Sequence, residues 1–282
     1  MLRKVIALAA LGLAFSAGQA LASGTTSSAP KHVEFGFEGP FGQFDQAQLQ
    51  RGYKVYREVC AACHGMNLVS FRNLGQKHAP FFDPERPNPN DNPYVRAIAA
   101  EYQINDIDSE TGDVIQRPGT SADRFPSPYP NEAAARAGNG GALPPDLSVL
   151  IKARHHGPQY VYSILTGYAN PPAGLNVGPG QYYNPYMAGD LTAFWTGDGH
   201  NVPTGGFIAM PPPLQPDGVT FDDGTRATVE QQAKDVVAFM TWASEPKLVE
   251  RKQFGLAAMI YLLILAGLVY ASYRRIWRNI AH

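Results

Sequence analysis

The 282-residue sequence predicts a mainly α-helical protein: a helical domain enlarged by long loops, followed by one transmembrane helix. Three observations carry that reading. Capped segments with apolar residues at helical spacing begin at Asp45 and at Thr228. Asp83 to Pro93 and Pro118 to Pro145 are crowded with Pro, Gly and Asn, which read as loops and extended chain. Near the C-terminus, Phe254 to Tyr273 forms a run of 20 residues without a formal charge.

From the N-terminus, Met1-Leu2-Arg3-Lys4 precedes an apolar run, Val5 to Phe15, and small residues ending Ala20-Leu21-Ala22. A charged region, an apolar core too short to span a bilayer and an A-x-A site predict a cleaved secretory signal over 1–22. The domain over 23–253 is then exported, starting with a small-residue tether from Ser23 to Lys31. Asp45 is a good N-cap, with Gln48 placed to complete a capping box. Leu49, Tyr53, Tyr56 and Cys60 follow at helical spacing. Gly52 inside that helix costs stability relative to Ala, which a close approach by another helix would explain.

The helix runs into Cys60-Ala61-Ala62-Cys63-His64, the C-x-x-C-H signature of covalent haem attachment. On one turn, two sulfurs can each add to a haem vinyl group while the adjacent His rises beneath the iron as an axial ligand. A thioredoxin-like pair would sit in a βαβ pattern, and none is visible. A zinc site wants four ligands, and these are the only cysteines in the chain. With both thiols committed to one haem c, no structural disulfide remains.

Further on, short helices are expected from Asn131 to Ala137, from Asp146 to Arg154 and from Gln159 to Thr166. Gly174 to Thr220 reads as long irregular chain, a length that signals function when it is real. Thr228 caps the last helix of the domain with Gln231 as box partner; Val229, Ala233, Val236, Val237 and Met240 form its buried face, and Pro246 ends it. The run over 254–273 is long enough to cross about 30 Å of hydrocarbon. Arg274, Arg275 and Arg278 follow it, so positive-inside bias places the 274–282 tail in the cytoplasm, against a weaker counter-bias from Arg251 and Lys252.

Charge narrows the partners. Residues 23–253 hold all 24 Asp and Glu but 18 of the 23 Lys and Arg, a net charge of −6 that disfavours nucleic acid. Between Ala97 and Gln116 lie Glu101, Asp106, Asp108, Glu110 and Asp113 with no Lys or Arg. Two readings stand for this stretch, a solvated loop and a docking face for a basic partner.

A haem held through His64 has a second axial position, and its occupant separates electron transfer from ligand chemistry. Met66 is too close to His64 in sequence to reach the opposite face. Met240 belongs to a core-facing helix stripe and Met259 to the membrane run. His155 and His156 read as surface residues, and His32, His78 and His200 lie in loops. Met187, in Asn184-Pro-Tyr-Met187, and Met210, in Phe207-Ile-Ala-Met-Pro-Pro-Pro213, remain. A thioether is a weak ligand that needs a stiff backbone, and the three prolines favour Met210.

Several ordered segments resemble the cytochrome c1 family, the haem subunits of the cytochrome bc1 complex, in its bacterial form. They include Arg51-Gly-Tyr-Lys-Val-Tyr-Arg-Glu-Val-Cys60, Arg117-Pro-Gly119, Phe125-Pro-Ser-Pro-Tyr-Pro-Asn131 and Gly141-Ala-Leu-Pro-Pro-Asp-Leu-Ser148. Tyr162-Ser-Ile-Leu-Thr-Gly-Tyr168, Tyr183-Asn-Pro-Tyr186, Asp222-Asp-Gly-Thr-Arg-Ala-Thr228 and Ala243-Ser-Glu-Pro246 continue the series. The resemblance implies a cytochrome c-like haem domain enlarged by loops, with Met210 as distal ligand, Arg154 on a haem propionate and Tyr160 in the haem pocket. An extra cysteine pair that braces the ligand loop in some bacterial members is absent here.

The resemblance further implies an electron-transfer subunit of a quinol:cytochrome c oxidoreductase. It would relay one electron from a Rieske iron–sulfur protein, working beside cytochrome b, to a soluble c-type cytochrome, with no catalytic acid or base of its own. The complex would be dimeric, in the bacterial inner membrane with the haem domain in the periplasm. The alternatives are a free-standing membrane-anchored c-type cytochrome, a haem subunit of a terminal oxidase or nitric oxide reductase, and a five-coordinate haem enzyme or gas sensor.

Overall fold

Asp45 opens the first helix as its chemistry predicts: its backbone is extended and its carboxylate accepts the Ala47 N–H at 2.9 Å. In the computed structural model, which describes residues 27–279, this helix is α1, Gln46–Val55. The expected signal segment lies outside the described residues. Next come α2 (Pro93–Ala100), the hairpin β1 (Gln103–Ile107) and β2 (Val114–Pro118), and α3 (Glu132–Gly138). The chain continues through α4 (Gly157–Thr166), β3 (Tyr182–Asn184), β4 (Gly206–Ile208), α5 (Val229–Ser244) and α6 (Leu248–Trp277). The protein is mainly helical; the sheets among the described residues are two antiparallel pairs, β1 with β2 and β3 with β4.

The core forms where α1 crosses α5. A Cβ added at Gly52 would lie 2.1 Å from the Asp235 carbonyl oxygen and 2.7 Å from Phe239 Cβ, so only glycine permits this crossing. Around it, Tyr53, Tyr56, Phe71, Phe125 and Phe239 interlock, with Phe71 and Phe125 ring centroids 4.5 Å apart. Met66 and Met240 are buried in the same cluster, Met240 as its place on the core-facing stripe predicted.

Neither expected capping box closes: Asp45 caps the Ala47 N–H instead of that of Gln48, and the Thr228 box forms only by half. Thr228 Oγ1 accepts the Gln231 N–H at 3.1 Å, but the side chains of Gln48 and Gln231 do not return to their caps. Both donate to Asp235, at 3.2 Å and at 2.9 and 3.0 Å. Asp235 is fully buried, and an unpartnered carboxylate there costs more than a missing cap bond in solvent.

Other differences from the sequence reading have local causes. Asp146 to Arg154 forms turns rather than a helix; Asp146 accepts the Ser148 N–H at 2.8 Å as a cap would, while its other oxygen takes the Asn67 N–H at 2.8 Å. His156, at φ 53°, is then left-handed and resets the chain before α4. The acidic stretch becomes the β1–β2 hairpin, with Ile107 opposite Val114. The long segment over 174–220 closes on itself: Tyr183 of β3 pairs with Phe207 of β4, and Leu175, Tyr183 and Leu191 make a second small core. Three-residue strands are too short to show an alternating pattern.

The tether is docked from Ser28 onward. Ser28 N–H donates to the Pro185 carbonyl at 2.8 Å. Lys31 Nζ meets the Thr166 carbonyl at 2.9 Å, where a cation complements the C-terminus of α4. At the other end, α6 extends the expected membrane run in both directions. It has a mean hydropathy of 2.3 over its most apolar 18 residues, none of them buried, and is the one helix among the described residues that fits a membrane anchor. Its first turn grips the head: Leu248 and Val249 are buried, and Lys252 Nζ donates to the Phe37 carbonyl at 2.6 Å.

Candidate functional site

The last turn of α1 widens. Ala61 N–H bonds back five residues to the Tyr56 carbonyl at 2.8 Å, a π-turn of the kind that marks functional sites. Cys63 N–H and His64 N–H then both donate to the Cys60 carbonyl, at 3.1 and 2.9 Å. Cys60, Cys63 and His64 thus share one turn, with the thiols half-buried and unbonded to each other. Burial pushes the Cys60 thiol up to about 12, so it stays protonated at neutral pH, unlike the activated thiolate of a redox dithiol.

His64 is oriented by its second nitrogen. Nδ1–H donates to the Pro145 carbonyl at 2.8 Å, which directs Nε2 away as the available donor atom. Burial pulls the imidazole below its ordinary pKa, outweighing the Pro145 bond and the Asp146 charge, and favours the neutral ring that a metal needs. Pro145 is itself held. The segment after His64 and the segment after Pro145 run side by side, tied by Leu147 N–H to Gly65 O at 2.8 Å, Asp146 to Asn67 N–H, and Leu68 N–H to Ser148 Oγ at 3.0 Å. Pro145 and Asp146 are site residues that sequence reasoning missed. Their motif was visible, but its pairing with a segment about 80 positions earlier was not.

The other predicted residues fall in separate places. Met210 is half-buried on the chain leaving β4, where its carbonyl accepts the Tyr168 hydroxyl at 3.0 Å. The rival Met187 has its thioether engaged, since Tyr160 O–H donates to Met187 Sδ at 3.6 Å. Tyr160 therefore meets Met187, and no hydrogen bond joins it to Met210. Arg154 is exposed beside the start of α4, with Nη1 on the Ala153 carbonyl at 3.1 Å and no carboxylate partner among the described residues. His155 and His156 are exposed and stack edge-on at 4.3 Å, in keeping with the surface reading. Met259 is 64% exposed on α6.

Of the five acids over 97–116, two are balanced: Glu101 pairs with Arg57 at 2.8 Å, and Asp106 with Arg117 at 2.5 Å. Asp108, Glu110 and Asp113 remain at the hairpin tip without a cationic partner among the described residues.

A thiol pair with a neutral, pinned imidazole on one turn, in a helical head followed by one membrane-length helix, is the donor set and layout of an anchored c-type cytochrome. The comparisons make this particular. The model of the Cytochrome C1 family matches residues 35–280, and the chain belongs to that family. It is similar to "Cytochrome c1" of Rhodospirillum rubrum, 39% identical over 98% of this chain and 97% of the relative. It is 44% identical to "Cytochrome c1-2, heme protein, mitochondrial" of Solanum tuberosum over 84% of this chain and 81% of that protein. It also matches "Cytochrome b/c1" of Bradyrhizobium diazoefficiens, 40% identical over 97% of this chain, of which it spans 39% of the length. The family places the chain as a haem-carrying electron-transfer subunit of the cytochrome bc1 complex.

Proposed function

We propose that the chain carries one haem c, bound covalently through Cys60 and Cys63 and ligated by His64 Nε2 and Met210, and that it relays single electrons from a Rieske iron–sulfur protein to a soluble c-type cytochrome. Cytochrome b would be its membrane neighbour in a dimeric complex. The observation that carries this reading is the pinned imidazole: His64 Nδ1 on the Pro145 carbonyl leaves Nε2 as the only free ring donor.

Bound haem supplies one-electron oxidation and reduction at its iron, with His/Met ligation raising the potential. The rest falls to the residues. The Cys60–His64 turn would hold the group through its two thiols and the His64 imidazole. Arg154, always charged and able to grip a carboxylate with two N–H groups, would neutralise a propionate. Tyr160 lines the pocket and occupies the Met187 thioether, which supports Met210 as the distal ligand.

The 23–253 head would lie in the periplasm of a bacterial inner membrane, with 254–273 as anchor and 274–282 in the cytoplasm. Family membership favours this reading over a free-standing cytochrome, an oxidase or nitric oxide reductase subunit, or a gas sensor.

Redox titration and carbon monoxide binding of two variants in the purified complex test the ligand. Met210→Ala is expected to lower the midpoint potential and let the reduced haem take up carbon monoxide, while Met187→Ala leaves both unchanged. The opposite pattern would assign the ligand to Met187, and no effect in either would reject thioether ligation.

A further inference from the structure

Arg51, which opens one of the segments carrying the family resemblance, and the segment from Asp222 to Thr228 lie outside the haem turn, yet the fold joins them. The Arg51 side chain, only 15% exposed, reaches out from α1 to three groups. Its Nε lies 2.7 Å from Asp235 Oδ2 on α5, and its Nη1 lies 2.6 Å from Asp223 Oδ2. The same guanidinium sits 6.0 Å over the Phe221 ring. One turn along α1, Lys54 Nζ meets Asp222 Oδ1 at 2.7 Å.

Asp222 and Asp223 belong to the loop that runs from Met210 to Thr228. Its prolines over 211–213 have no N–H to donate, so that stretch offers the head carbonyl acceptors only. Side chains from outside add to the hold. Tyr168 takes the Met210 carbonyl, and buried Gln232 donates to the carbonyls of Gln215 and Ala227, each at 2.7 Å. Leu214, Val219 and Phe221 are buried beneath. No disulfide braces the loop, since both cysteines lie in the haem turn.

We propose that Arg51 is a positioning residue for the Met210 loop, an inference that rests on Met210 as the distal ligand. One guanidinium, held to α5 by Asp235 and to the loop by Asp223, refers the thioether to the same helix that ends in Cys60, Cys63 and His64. Both sides of the iron are then set from α1. The two arms differ in kind. Asp235 is fully buried and must be paired for the core to form, whereas the Asp223 side chain is 39% exposed and its bond can be removed with the core intact. Arg suits the position because its planar fork can serve both carboxylates at once, which a Lys ammonium cannot do with fixed geometry.

The test uses the assembled membrane complex and the loop arm of the clamp. Arg51→Gln would strand the buried Asp235 charge and can fail to fold, so Asp223→Asn is the informative variant, with Met210→Leu as reference. Three readouts are taken at equal haem content: the far-red thioether-to-iron charge-transfer band of the ferric protein, the rate of carbon monoxide binding to the ferrous protein, and thermal stability. For Asp223→Asn the expected result is a weakened band and carbon monoxide binding faster by about 2- to 5-fold, the scale set by losing one partly exposed ion pair. If Met210→Leu abolishes the band while Asp223→Asn leaves band and binding rate as in the parent, the clamp is overturned and the ligand stands. If Met210→Leu keeps the band, the ligand reading fails and takes the clamp with it.

Discussion

Replacing Gly52 by Ala tests the crossing on which the head is built. The added methyl would lie 2.1 Å from the Asp235 carbonyl oxygen, 2.7 Å from the Asp235 carbonyl carbon and 2.7 Å from Phe239 Cβ, where ordinary contacts begin at 3.4 Å. Two of these are backbone atoms within a helix and cannot swing aside, so α1 must move off α5 by more than 1 Å, on the order of a severe core overpacking. Such overpacking costs about 3 kcal/mol at the upper end of its usual range. Alanine returns about 1 kcal/mol through its better helix propensity. A net loss of about 2 kcal/mol lowers the melting temperature of a head of this size by roughly 4–8 °C. The assay is thermal unfolding of the full chain followed by circular dichroism. Gly255→Ala, in α6 with nothing within 4 Å of the added methyl, serves as the control for propensity alone. A Gly52→Ala protein as stable as the Gly255→Ala protein would refute the argument that the glycine exists for helix contact.

The Asp223 carboxylate is held down to about 2 from an ordinary 3.8, first by the Thr225 backbone N–H and then by Arg51. A depressed carboxylate stabilises the fold above its unfolded pKa and loses that contribution as pH falls through the folded one. The stability gap between the parent and Asp223→Asn, read from urea midpoints, should therefore hold steady above about pH 4 and close toward pH 2; a gap that persists undiminished at pH 2 contradicts it. The hairpin tip makes a kinetic prediction. Neutralising Asp108, Glu110 and Asp113 together should slow reduction of a basic c-type cytochrome at low salt by about tenfold, with the difference fading as salt rises. Neutralising Glu101 and Asp106, already balanced by Arg57 and Arg117, should matter far less, and equal effects from both sets would sink the docking reading.

Much of the site was legible because its chemistry is local. Cys60, Cys63 and His64 lie within five positions, and one helical turn suffices to bring them together. The α1 N-cap, the short helix α3 after Asn131, the core stripe of α5 and the membrane-length run of α6 are likewise near-neighbour patterns, set by backbone hydrogen bonding and hydrophobic periodicity. Even the cost of Gly52 implied a close partner.

What the tertiary structure alone decided are the pairings between distant segments. Gln48 and Gln231 looked like cap partners, but the fold buries Asp235 between them, and satisfying a desolvated carboxylate outweighs a cap bond that water can replace. Asp146 looked like the start of a helix, but it ties down the segment whose Pro145 carbonyl aims His64. The short strands β3 and β4 and the engagement of the Met187 thioether by Tyr160 also depend on contacts between residues far apart in the chain. The linear sequence therefore determined which groups can hold a haem, because that chemistry needs residue types at short spacing. Only the folded chain decided how those groups are oriented and braced, because each brace is a hydrogen bond or ion pair whose partner is chosen by burial, and burial is a property of the assembled core.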